Sequence, residues 1–100
     1  MIRGTTPMHT FELPFAVDDI DQVRIVYAQE GSEILIKTNS DCTLEGSTIR
    51  VKLTQADTLR FKAPGPVEIQ IRVLMTSGDV LASSVMRVPV GVCLDNEVMA

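Results

Sequence analysis

The feature that most constrains the fold of this chain is an alternation of side-chain character at residues 66–73. Every second residue there is apolar and β-branched, namely Val67, Ile69, Ile71 and Val73. Residues 48–53 alternate in the same way. Because successive side chains of a strand point to opposite faces, both segments predict half-buried antiparallel strands. Such strands form a scaffold that hosts many activities, so they predict a fold and not a function.

Five further segments carry strand signals, which gives about seven strands in total. They are residues 8–13, 23–27, 34–37, 43–44 and a last strand near 80–90. Turn signals separate them at residues 18–21, 29–32, 38–41, 45–47 and 76–79. Thr54 and Asp57 have the spacing of a loose capping box, but a crossover turn between sheets suits residues 54–59 better than a helix. Seven short strands with regular turns are typical of an all-β Greek-key sandwich.

Length and composition predict one small domain with an aliphatic core. The chain has 100 residues, of which 45% are hydrophobic and only four are aromatic. We expect one domain over residues 1–100, with residues 93–100 as a loose tail. Nine basic residues against thirteen acidic ones give a net charge of −4 without any basic run. This balance argues against a nucleic acid partner, because such partners require phosphate neutralisation.

The predicted compartment at synthesis is the cytoplasm. The N-terminus lacks the apolar core of a signal peptide, and no stretch approaches the ~20 apolar residues of a membrane span. No membrane association is therefore expected. Cys42 and Cys93 are too far apart for a CxxC motif and are interpreted as ordinary thiols. A bridge between them stays open as an alternative if the protein is released from the cell.

Catalytic and metal-binding patterns are not found in the sequence, which predicts a protein that is not an enzyme and has no cofactor or metal. The single histidine, His9, is in phase with Phe11 and Leu13 and is interpreted as structural. The aspartates of the predicted turns are explained by side-chain-to-backbone hydrogen bonds: Asp18, Asp19, Asp21, Asp41 and Asp79. Residues 18–21 lack the spacing of an EF-hand, so calcium binding is disfavoured there.

Several segments together resemble a known family of proteins. They are residues 3–7, 11–13, 23–27, 53–59, 67–72 and 80–84. In this combination the chain resembles small Ig-like proteins encoded among the tail genes of phages and prophages of Gram-positive bacteria. It is similar, more distantly, to the N-terminal Ig-like domain of phage upper baseplate proteins. The resemblance implies an Ig-like Greek-key β-sandwich.

The same resemblance implies a structural or assembly component of a phage tail or baseplate that acts through protein–protein contacts. Its expected partners are other tail or baseplate proteins, or copies of itself in a homo-oligomer. It would be made in the bacterial host cytoplasm, and its incorporation into the virion is left open. Outward side chains of the predicted strands are the candidate contacts: Arg24, Val26, Leu74 and Val85. The alternative is a stand-alone Ig-like binding module for surface glycans or host proteins.

Overall fold

The computed structural model describes residues 1–99, which form mainly two antiparallel β-sheets. The eight strands within these residues are β1 (Met8–Glu12), β2 (Ile20–Gln29), β3 (Ser32–Thr38), β4 (Cys42–Glu45), β5 (Thr48–Lys52), β6 (Gly65–Met75), β7 (Val80–Ala82) and β8 (Met86–Val90). One sheet has the order β1-β5-β4. The other has the order β3-β2-β6, and both β7 and β8 pair with the remaining edge of β6. The predicted all-β class is confirmed.

The two sheets contribute to one hydrophobic core, as expected for a β-sandwich. The core residues on strands are Val23, Ile25, Tyr27, Leu35, Ile49, Val51, Val67, Ile69, Ile71, Val73 and Val90, together with Ile20. Tyr27 and Phe61 are the largest fully buried side chains, with ring centroids 5.9 Å apart. Burial of each aliphatic side chain stabilises a fold by about 1.5–3 kcal/mol. The alternating apolar residues of the strands predicted at 48–53 and 66–73 are therefore the residues through which the two sheets pack together.

The strand predicted near residues 80–90 is divided into β7 and β8 by a bulge. Gln70 and Ile71 of β6 lie opposite three residues, 83–85, so the partner strand carries one extra residue. The Ser83 N–H donates to the Ile71 carbonyl at 2.9 Å. The Ile71 N–H donates to the Ser83 hydroxyl at 3.1 Å. The bulge thus divides the strand without leaving the β6 backbone unsatisfied.

The predicted hairpin at residues 29–32 is confirmed as a two-residue turn between β2 and β3. Its central residues, Glu30 and Gly31, have φ angles of 53° and 79°. Positive φ at both positions is the signature of a type I′ turn, whose twist matches that of the flanking strands. The turn sets the pairing of Gln29 with Ser32 and of Ala28 with Glu33, and a register shift between Tyr27 and Ala28 separates these pairs from the rest of the β2–β3 ladder.

The crossover between β5 and β6 contains a short helix, α1 (Gln55–Leu59). The predicted crossover between sheets is confirmed, but the preference for a turn over a helix is wrong. The Asp57 N–H donates to Thr54 Oγ1 at 3.0 Å, and the Thr54 N–H donates to the Asp57 carboxylate at 2.9 Å, which completes a capping box. Lys37 of β3 adds an ion pair with Asp57 at 2.8 Å. This contact supports a helix too short to persist alone.

The N-terminal and C-terminal segments both contact α1 and the loop after it. The Arg3 guanidinium donates to the Leu59 and Phe61 carbonyls at 2.7 and 2.6 Å, and to Asn96 Oδ1 at 2.6 Å. The Gln55 side chain exchanges two hydrogen bonds with the Met99 backbone. Leu94 is nevertheless 99% exposed. The looseness of residues 93–100 stays a prediction, and its last residue, Ala100, lies outside the described residues.

Candidate protein-binding face

Three of the four predicted contact residues lie on one surface, which we call the outer face of the five-stranded sheet. Arg24 and Val26 belong to β2 and Leu74 to β6, each out of phase with the buried residues of its strand. Arg24 is exposed, whereas Val26 and Leu74 are half-buried. Ile36 of β3 lies directly opposite Val26 and is also half-buried. The outer face therefore combines aliphatic surface with a cationic side chain.

The fourth predicted contact residue, Val85, lies elsewhere. It is in the bulge between β7 and β8, which is the edge of the sheet away from β3, and it is 50% exposed. Because β6 separates this edge from β2, the structure does not bring Val85 together with Arg24 and Val26. Single exposed aliphatic side chains are common on protein surfaces and indicate little by themselves.

The outer face also brings together two arginines, Arg24 and Arg72, which we call the basic pair. They are direct cross-strand neighbours in the β2–β6 register. Directly opposite residues have Cβ atoms about 4.5–5.5 Å apart, a spacing at which like charges destabilise a sheet. Within residues 1–99 neither guanidinium forms an ion pair or a side-chain hydrogen bond. The fold thus holds two adjacent cations without an anion.

Shallow hollows lie on both sides of the Arg24 side chain. One, of about 220 Å³, is lined by the basic pair together with Gln22, Leu74 and Val80. The other, of about 440 Å³, is lined by Arg24, Gln22 and residues 38–40 at the end of β3. Both contain polar groups and are open to solvent. The basic pair is therefore accessible to a protein side chain that approaches the sheet from either side.

A second unmatched charge lies at the start of β2, in an acidic turn formed by Asp18, Asp19 and Asp21. All three carboxylates are exposed, and within the described part of the chain none accepts a hydrogen bond or pairs with a cation. The prediction that backbone hydrogen bonds explain them is wrong. The Thr76 N–H donates to the Asp19 carbonyl at 2.8 Å, so the backbone of the turn, and not its side chains, makes the contact. The expected break at residues 18–21 is also shorter, since β2 begins at Ile20.

The other two aspartates of that prediction do have hydrogen-bond partners. The Asp41 carboxylate accepts from the Thr38 N–H at 2.9 Å, which caps a 3-10 turn. The Asp79 carboxylate accepts from the Ser77 hydroxyl at 3.2 Å in the β6–β7 turn, so its partner is a side chain and the predicted backbone hydrogen bond is wrong there. The acidic turn differs from these positions because its carboxylates form no hydrogen bond and no ion pair within residues 1–99.

A groove of about 520 Å³ lies at the open side of the sandwich, between β1 and β7. Its lining is mainly apolar and includes Phe11, Leu13, Phe15, Ile71, Leu81 and Met86. Phe11 and Phe15 are half-buried, whereas the other two aromatic residues, Tyr27 and Phe61, are fully buried. The groove is thus the place where aromatic surface meets solvent.

His9 makes a structural contact, and its geometry does not resemble a catalytic site. Its Nδ1 lies 2.7 Å from the Tyr27 hydroxyl, and the two rings stack with centroids 5.6 Å apart. Burial, followed by the positive N-terminus, lowers the pKa of His9 below its ordinary 6.5. Burial raises the pKa of Tyr27, so its hydroxyl keeps its proton. Two neutral rings therefore share a hydrogen bond between the sheets, and no carboxylate orients the imidazole among residues 1–99.

Both cysteines are free and half-buried. Burial, followed by the nearby Asp41 charge, raises the pKa of the Cys42 thiol, which disfavours its reactive thiolate. The interpretation of Cys42 and Cys93 as ordinary thiols agrees with this environment.

Residues 1–99 contain no group of three or more histidine, cysteine, aspartate or glutamate side chains placed to hold a metal ion. None of the helices formed by these residues has the length and hydrophobicity that crossing a membrane would require.

The chain matches no protein-family model, no curated protein and no solved structure. A function is therefore inferred from the charge, the exposure and the shape of its surfaces. Sequence reasoning placed Arg24, Val26 and Leu74 on the outer face but missed Arg72. Its signal was present, because Arg72 occupies a polar position of the alternation at residues 66–73. What the sequence did not contain was the register that sets Arg72 opposite Arg24.

Proposed function

We propose that this protein is a non-enzymatic structural or assembly component of a phage or prophage tail or baseplate. It acts by protein–protein contact through the outer face of the five-stranded sheet. The phage setting rests on the sequence resemblance described above. The observation that carries the mode of action is the basic pair: within residues 1–99 no anion pairs with these two adjacent cations, and half-buried aliphatic residues flank them.

The order of the strands supports the Ig-like part of the proposal. An Ig-like sandwich sets its strands B, E and D in one sheet and C′, C, F and G in the other. Assigning β1, β5 and β4 to the first set, and β3, β2, β6 and the divided β7–β8 strand to the second, reproduces this order. The chain also changes sheet between β3 and β4 and again through α1, as a Greek-key connection requires.

The chemistry of the outer face supports a contact role. Like charges placed directly opposite each other destabilise a sheet, and a partner that supplies carboxylates beside the basic pair relieves this repulsion. Arginine is also enriched at protein interfaces, because its planar guanidinium binds carboxylates in a bidentate manner. Flanking aliphatic side chains provide the apolar area that such a contact buries.

Deletion of the gene from its phage or prophage tests the proposal. We expect electron micrographs of lysates to contain aberrant or tailless particles, and we expect plasmid-borne wild-type protein to restore normal tails. Arg24→Glu/Arg72→Glu should fail to restore them, whereas Arg50→Glu/Lys52→Glu should succeed. The latter reverses two charges on the outer side of the other sheet, where Arg50 and Lys52 are exposed. Intact, infectious particles from the deletion strain would refute a role in assembly.

A second candidate function, a binding module for surface glycans or host proteins, is favoured by the groove. Sugars and apolar side chains both dock on aromatic surface, and Phe11 and Phe15 provide it in this groove. If this function holds, deletion leaves particles morphologically normal but reduces their adsorption to host cells. Phe15→Ser would then reproduce the adsorption defect, and outer-face variants would not.

A further inference from the structure

The two surfaces of unmatched charge have complementary signs. The basic pair offers two cations, and the acidic turn offers three exposed carboxylates within four residues. Both lie outside every ion pair formed by residues 1–99. We infer that the acidic turn of one copy of this protein binds the basic pair of a second copy. This inference rests on the proposed function, since it names the partner of the outer face.

The acidic turn is held in a fixed position, which favours its role as the docking element. The Val17 N–H donates to the Gly46 carbonyl at 2.8 Å on one side of the turn. Asn39 Nδ2 donates to the Asp21 carbonyl at 3.1 Å on the other. Val17 and Ile20 are at most 9% exposed and anchor the turn in the core. Because the backbone is already ordered, binding loses little further conformational entropy.

The geometry of the basic pair suits carboxylates on a turn. Two guanidinium groups on adjacent strands provide parallel N–H donors, which bind carboxylate oxygens in bidentate fashion. The flanking hollows give room for the neighbouring residues of the turn. Leu74 and Val80, which line one hollow, supply apolar surface at its rim. A second copy is a sufficient partner, because each chain carries both halves of the contact.

The two halves of the contact lie on different residues, so it closes into a two-fold dimer if both halves meet the same neighbour and is heterologous if they meet different neighbours. Each copy can bind one neighbour through its basic pair and another through its acidic turn. Repetition of a heterologous contact generates a ring or an open filament, depending on the rotation between copies. Such growth is the property that an assembly component of a tail needs.

Complementary charge variants test the contact directly. Sedimentation velocity on the purified full chain should show a mass that grows with concentration, and raising NaCl from ~0.05 M to ~0.5 M should weaken this association. Arg24→Glu/Arg72→Glu and Asp19→Lys/Asp21→Lys should each weaken it at least tenfold, because each reverses the charges on one half of the contact. A mixture of the two variants should associate again, because the acidic turn of the first variant faces the basic pair of the second, and the introduced lysines of the second face the introduced glutamates of the first.

Matched controls separate this contact from a general effect of charge. Arg50→Glu/Lys52→Glu and Asp95→Lys/Glu97→Lys change the net charge by the same amounts on other surfaces and should associate like the wild type. A wild type that is monomeric at every concentration overturns the inference, as does a mixture that forms no complex. Either result leaves the assembly role to be judged separately by the deletion phenotype, which does not depend on self-association.

Discussion

Two pairs of charged residues in this molecule have opposite environments. Lys37 and Asp57 form an ion pair at 2.8 Å with side chains only 13% and 15% exposed, and the pair joins β3 to α1. Arg24 and Arg72 are exposed neighbours of like charge on the outer face. The first pair is satisfied within the chain, whereas the second has no partner within residues 1–99. The Lys37–Asp57 pair therefore stabilises the fold, whereas the charges of Arg24 and Arg72 remain available to bind another molecule.

The carboxylates of Asp57 and Asp18 differ in the same way in their hydrogen bonds. The Asp57 carboxylate accepts from the Thr54 N–H at 2.9 Å in addition to its ion pair. Burial alone would raise the pKa of Asp57, but the Lys37 and Thr54 contacts lower it below 3.8. Asp18, by comparison, has no partner among the described residues. Substituting the aspartate at each of these two places therefore separates a contribution to fold stability from a contribution to binding.

The largest effect is expected when the satisfied pair is broken. Asp57→Ala removes the reciprocal half of the capping box, the carboxylate that accepts from the Thr54 N–H, which is worth about 0.5–1.5 kcal/mol, and leaves Lys37 without its anion in a poorly exposed position. Breaking a fully buried pair costs about 3–5 kcal/mol, so we expect a total loss of roughly 2–4 kcal/mol in urea unfolding. Asp18→Ala, the matched control, should stay within about 0.5 kcal/mol of wild type. Equal losses in the two variants would remove the distinction between the two places.

A smaller loss of stability is expected when Gln29 is substituted, because its buried contacts are hydrogen bonds between uncharged groups. Gln29 is 5% exposed, and its amide exchanges hydrogen bonds of 3.0 and 2.7 Å with the Lys62 backbone. Gln29→Leu leaves those backbone groups unsatisfied and should lower the free energy of unfolding by about 1–3 kcal/mol. Gln22→Leu, on the outer face, should have little effect. A Gln29 variant as stable as wild type would show that this contact does not stabilise the fold.

The partly buried His9, which contacts Tyr27, is expected to make the free energy of unfolding depend on pH. The folded pKa of His9 lies below 6.5, so the unfolded chain binds the proton first as the pH falls. Stability is therefore complete above pH 6.5 and declines as the pH falls through the folded pKa. Because the ring is half-buried, we expect a decline below about 1 kcal/mol. His9→Gln should abolish it, and the loss due to Asp57, which begins only near pH 4, should remain.

The smallest effect on stability, with the opposite sign, is expected at the basic pair. Arg72→Glu places a carboxylate directly opposite Arg24 and replaces a like-charge pair with an attractive one. Opposite charges across a strand pair stabilise a sheet by about 0.2–1 kcal/mol. Thermal unfolding at low protein concentration should therefore give a Tm equal to or slightly above wild type, while Arg72→Ala should fall between them. A clear loss of stability would mean that Arg72 serves the fold.

Local sequence patterns could predict which faces are buried but not which residues meet. Alternation identified the inner and outer sides of β2 and β6, because burial acts on each strand separately. The opposition of Arg24 and Arg72 depends on a register between residues 48 positions apart in the chain, which no local pattern encodes. Likewise, the ion pair that Lys37 adds to α1 comes from another strand, and the hydrogen bond from the Ile71 N–H to the Ser83 hydroxyl at the bulge joins two strands.

The most direct test measures association and stability together for Arg72→Glu and wild type. Sedimentation velocity gives the association, and urea unfolding of the same samples gives the stability. If the basic pair serves contact between copies, the variant is at least as stable as wild type but no longer self-associates. If instead the variant is less stable and associates like wild type, the basic pair belongs to the fold and the outer face is not the contact surface.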